Sequence, residues 1–132
     1  MVIVMPRTSL ISRALLLTLA IAAPLYALAH PKLVTAVPAA NSHVMAVPAV
    51  IRLTFQERLE PAMSRITMVH AGVHAVTLGA VVADSADSKT LVAALKTPMG
   101  TGVYTVTWQA AGADGHPMRG SYTFTVDAPA PK

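Results

Sequence analysis

Gly102-Val-Tyr-Thr-Val-Thr-Trp108 and, after a gap of turn-forming residues, Tyr122-Thr-Phe-Thr-Val126 decide the fold. In both, large apolar residues alternate with threonine. Tyr104, Val106 and Trp108 fall on one face of an extended chain and Thr105 and Thr107 on the other, and Tyr122, Phe124 and Val126 repeat the pattern against Thr123 and Thr125. That is the period of a strand with one buried face. The aromatics therefore read as core, in preference to an exposed row that stacks on carbohydrate.

Outward from this pair the same signal recurs. Residues 32–37, 50–55, 65–70, 74–83 and 90–96 read as further strands, with Ile51, Leu53 and Phe55 sharing a face, and with 103–109 and 121–127 they make seven. The expected fold class is all-β, a seven-stranded Greek-key β-sandwich of immunoglobulin-like (cupredoxin-like) type.

The chain has 132 residues, enough for one domain, with 54% hydrophobic and 12% charged residues. Only one long apolar run exists. Arg7 and Arg13 precede an apolar stretch at 14–23, and Ala27-Leu28-Ala29 is a small-x-small cleavage signal, so 1–29 reads as a signal peptide removed after Ala29. The run is short for a membrane span, which takes about 20 apolar residues. The domain then occupies 30–127, followed by the Pro-rich stretch 128–132, expected to be a disordered tail.

Without Arg7 and Arg13, eight Lys and Arg remain against six Asp and Glu. That scattered excess is too weak for a nucleic-acid surface, so no nucleic-acid partner is expected. There is no cysteine, which removes disulfides and thiolate ligands together. A metal would have to be held by histidine, carboxylate, methionine or a chain terminus.

Two places far apart in sequence carry such groups. Cleavage makes His30 the amino terminus, where its free amine and its imidazole can bind one ion together. Pro31 has no backbone N–H, which blocks the mode in which Cu(II) displaces successive amide protons. The second place is Gly112-Ala-Asp-Gly-His-Pro-Met-Arg-Gly120, where Asp114 and His116, two apart, project the same way if the segment is extended. Nitrogen and oxygen donors without sulfur suit tetragonal Cu(II), and zinc accepts the same set. As a bare pattern, D-x-H is also a common solvated turn.

His30-Pro-Lys-Leu-Val-Thr-Ala-Val-Pro38, Ile51-Arg-Leu-Thr-Phe-Gln-Glu57, Gly102-Val-Tyr-Thr-Val-Thr-Trp108, Asp114-Gly-His-Pro-Met-Arg-Gly120 and Tyr122-Thr-Phe-Thr-Val126 together resemble the CopC family of periplasmic copper-resistance proteins. The resemblance implies Cu(II) as cofactor, with His30, Asp114 and His116 as metal ligands and Glu57 as an outer carboxylate. It implies a periplasmic carrier or buffer, expected to be monomeric and not an enzyme, that passes copper to an inner-membrane transporter. A copper oxidase of histidine-brace type is the alternative.

Some members of the family also hold Cu(I) in a methionine-rich loop at the opposite end of the sandwich. The matching region here has Met63 and Met68 with His70 and His74, a degenerate version at most. Met68 shares the face of Ile66 and reads as core. His43, Met45, Met99 and Met118 read as loop or packing residues.

Overall fold

A computed structural model describes residues 32–97 and 100–128. Its strands are β1 (Leu33–Val37), β2 (His43–Val44), β3 (Val50–Phe55), β4 (Arg65–His70), β5 (His74–Val76), β6 (Val82–Ala83), β7 (Thr90–Ala94), β8 (Gly102–Ala111) and β9 (Pro117–Val126), with one 3-10 turn at Pro61–Met63. They form two sheets, β1-β3-β7-β6 and β2-β9-β8-β4-β5. Every pairing is antiparallel except β2 with the end of β9.

The alternation explains the core. Ile51, Leu53 and Phe55 of β3 and Leu91 and Ala93 of β7 face Tyr104, Val106, Trp108, Phe124 and Val126 of β8 and β9, all buried. Each large apolar side chain so buried contributes roughly 1.5–3 kcal/mol. Phe55 meets Trp108 edge to face at 5.0 Å, and Tyr104 stacks on Phe124 at 5.4 Å. Trp108 lies opposite Gly120 in the register. A Cβ on Gly120 would come within 2.3 Å of the indole, so the ring occupies the space that a side chain there would need.

The all-β sandwich is as expected, but among the described residues its strands number nine and not seven. The single strand expected over 74–83 is two: β5 joins β4 in one sheet and β6 joins β7 in the other, with an isolated Leu78–Leu95 bridge between. Neither half is fully buried; Val76, Leu78 and Val81 along it pack half-buried against the core. His43, expected in a loop, opens β2, and its ring Nδ1 meets the Asp127 carboxylate at 3.0 Å.

β8 and β9 are also longer than expected at one shared end. Pro117 begins β9, a place where its missing N–H breaks no ladder. The Ala111 carbonyl opposite it accepts the N–H of Glu60 at 2.9 Å instead. Ala111 N–H in turn donates to Ser64 Oγ at 3.2 Å, Ser64 Oγ–H donates to the Glu60 carbonyl, and Leu59 bridges Gly112. The segment 59–64 is thus laced to the base of the β8–β9 hairpin.

Candidate metal centre

Residues 112–116 connect β8 to β9. The Gly112 carbonyl accepts the Gly115 N–H at 3.0 Å, which closes a turn over Ala113 and Asp114, and Gly115 leaves it with φ +76, a conformation that favours glycine. The segment is therefore a turn and not the extended stretch expected from the spacing. Asp114 and His116 nonetheless come together, by a different route. Asp114 Oδ1 accepts the His116 N–H at 3.1 Å, an Asx-type turn, while Oδ2 stands 3.3 Å from His116 Nδ1.

This geometry has a chemical consequence. A carboxylate at Nδ1 favours the neutral tautomer with its proton there, which leaves the Nε2 lone pair for a metal and fixes the ring's orientation. Both side chains are open to solvent, at 67% for His116 and 39% for Asp114.

Glu57 lies just past β3, on the segment that leads into the laced 59–64 region. A Cβ on Gly112 would stand 3.3 Å from its carboxyl carbon, so the glycine lets the carboxylate lie against the hairpin base. Glu57 Oε1 is buried and has no hydrogen-bond partner among the described residues. A buried carboxylate oxygen without a donor is costly, so this one is suited to a cation. Gln56 N–H donates to the Lys32 carbonyl at 3.0 Å, which brings the start of the described chain beside Glu57.

His30 and Pro31 lie outside the described residues. Among the described residues no three His, Cys, Asp or Glu side chains gather as a metal cluster. Asp114, His116 and Glu57 thus supply an incomplete set around one loop.

The region compared with a methionine-rich loop does not gather. Met68 is buried in the core, as expected from its shared face with Ile66. His70 and His74 pair across the β4–β5 hairpin. His70 stacks on Tyr104 at 4.4 Å, and its Nε2 bonds the Thr101 carbonyl at 2.9 Å. Met63 is at the other end of the molecule, where its methyl would stand 3.4 Å from a Cβ on Gly115. The sequence held a signal for this separation. Met63 precedes β4 and His70 ends it, and a six-residue strand is about 17–20 Å long.

The sequence of residues 33–127 matches the profile of the CopC domain. The chain belongs to the CopC family. This family member is similar to copper resistance protein C of Escherichia coli, at 39% identity over 76% of this chain and 83% of that protein, and to copper resistance protein C of Xanthomonas campestris pv. juglandis, at 39% identity over 76% and 82%. Among solved structures it superposes on CopC from Methylosinus trichosporium OB3b with a TM-score of 0.69 and 32% identity, over 75% of this chain and 95% of that one. PcoC, a methionine-rich copper resistance protein from Escherichia coli, superposes with a TM-score of 0.68 and 36% identity, over 75% of this chain and all of that one.

Proposed function

We propose that this CopC-family chain is an exported copper protein of the periplasm. Once freed at its amino terminus after Ala29, it binds one Cu(II) through His30, His116 and Asp114. The observation that carries the reading is the Asp114–His116 pair, a ring nitrogen held ready by a carboxylate on a solvent-open turn. The Glu57 carboxylate, packed against Gly112 at the base of the same hairpin and with one oxygen lacking a partner among the described residues, adds a negative group suited to a dication. His30 is two residues ahead of Lys32, a span of about 7 Å at most, and Lys32 is bonded to Gln56 next to Glu57. That short reach supports a site shared between the terminus and the turn.

The role is that of a carrier or buffer that passes Cu(II) to a copper transporter of the inner membrane, acting as a monomer and without catalysis. An oxidase keeps a coordination position open for its co-substrate, whereas in this ligand set the Asp114 carboxylate, on leaving His116 Nδ1 for the ion bound at Nε2, fills one. The copper resistance relatives support the copper part of this reading.

The test is the terminus itself. An α-amino group has an ordinary pKa near 8 and yields its proton to Cu(II) around neutral pH, but a peptide-bonded nitrogen cannot bind in this way. Protein that begins at His30 should bind one Cu(II) with nitrogen hyperfine coupling in its electron paramagnetic resonance spectrum. Protein with one residue added before His30 should keep its circular dichroism and lose Cu(II) affinity by on the order of 100-fold or more. Equal affinity and an unchanged spectrum would end the terminal-amine reading.

A further inference from the structure

Met63 has no place in the ligand set above, yet its position is tightly specified. It closes the 3-10 turn at Pro61–Met63, where its N–H donates to the Glu60 carbonyl at 3.1 Å. Glu60 and Ser64 on either side of the turn are both bonded to Ala111 at the hairpin base. The backbone that carries Met63 is therefore tied to the same hairpin that carries Asp114 and His116. Its methyl end lies over Gly115, the residue between those two.

Packing alone does not account for the choice of residue. Met63 is 51% exposed, so half of its surface stays in solvent. What it adds is a thioether, the only soft donor type available to a chain without cysteine. Nitrogen and carboxylate donors suit Cu(II), while thioether and imidazole together suit Cu(I). The other end of the sandwich offers less, because Met68 is buried and His70 Nε2 is taken by Thr101.

We propose that Met63 gives the metal site a second oxidation state, in which Cu(I) is held by Met63 Sδ with His116 Nε2 at the place where Cu(II) binds. The inference rests on the metal reading of Asp114 and His116. The two ions compete for His116, so the chain holds one copper at a time. No electron transfer is involved; each ion arrives in the state in which it binds.

The experiment is an anaerobic Cu(I) titration of processed protein against bicinchoninate, with Cu K-edge X-ray absorption of the same samples. Met63→Leu keeps the shape and removes the sulfur. It should lower Cu(I) affinity at least about tenfold and abolish the copper–sulfur scattering, with the Cu(II) spectrum and affinity unchanged. Met45→Leu should change nothing, since Met45 is exposed just after β2, which pairs with the far end of β9. Wild-type protein preloaded with Cu(I) should refuse Cu(II). Unchanged Cu(I) binding in Met63→Leu, or Cu(I) lost on His70→Ala with Met63 intact, would overturn the proposal while leaving the Cu(II) site standing. A wild-type protein without nitrogen-coupled Cu(II) would remove the metal reading itself.

Discussion

The two ends of the five-stranded sheet each present a histidine on a hairpin, and they use it in opposite ways. At the β4–β5 end His70 is consumed by the fold: its ring stacks on Tyr104 and its Nε2 is bonded to Thr101. At the β8–β9 end His116 is held, among the described residues, by Asp114 alone, and is two-thirds exposed. A histidine is a ligand candidate when one ring nitrogen is anchored and the other is open. When stacking and a hydrogen bond occupy the ring, it is a structural residue.

The largest test of this contrast exchanges the two losses. His116→Ala should cost Cu(II) affinity on the order of 100-fold or more while leaving the melting temperature nearly unchanged. His70→Ala should do the reverse. Loss of its ring stacking and its hydrogen bond to Thr101 should destabilise the fold by about 1–3 kcal/mol in urea titrations, with Cu(II) affinity kept. If both variants lose copper, the two ends are not separate in function.

A smaller test acts on the turn. Gly115→Ala forces a side chain into positive φ at a cost of roughly 1–2 kcal/mol, and its Cβ meets the methyl of Met63. The fold should survive with a lower urea midpoint, and Cu(II) affinity should fall by less than it does in His116→Ala. An affinity equal to wild type would mean that the Asx geometry is not needed to present the ring.

The smallest compares two tyrosines on the sheet's inner face. Tyr104 donates to the Gly100 carbonyl at 2.7 Å, whereas Tyr122 has no hydrogen-bond partner among the described residues. Tyr104→Phe should cost about 1 kcal/mol, and Tyr122→Phe about 0.5 kcal/mol or less. Burial pushes the Tyr122 hydroxyl up from 10.0 to about 12. Its folded pKa is raised, so its contribution is complete below pH 10 and is lost as pH rises through 12, where the phenol ionises first in the unfolded chain. Stability of wild type should decline across that window, and Tyr122→Phe should decline less. Equal slopes would show that the hydroxyl is not held in its neutral form.

The contrast between the ends also marks what the sequence could reveal. The β8 and β9 alternation was legible because aromatic residues and threonine strictly interleave, and burial of Tyr104, Val106, Trp108 and Phe124 follows from it. The near end of that hairpin was not, since Pro117 and Gly120 read as loop punctuation. Only the structure shows that Glu60 takes the carbonyl facing the proline and that Trp108 fills the space over the glycine. Asp114 and His116 were legible as a pair, but through the wrong local geometry: an extended segment was expected where an Asx turn forms. Met63 was grouped with Met68, His70 and His74 by closeness in sequence. A strand lies between them, and closeness along a strand means separation in space.

The contact between Trp108 and Gly120 sets a rule for sequence change. With the indole where it is, every residue but glycine at position 120 collides with it, so no path of single substitutions through position 120 is open until position 108 shrinks. The two behave as one locus under epistasis. A smaller ring or an aliphatic side chain at 108 should turn substitution at 120 from ruinous to mild, and the pair should drift together or not at all.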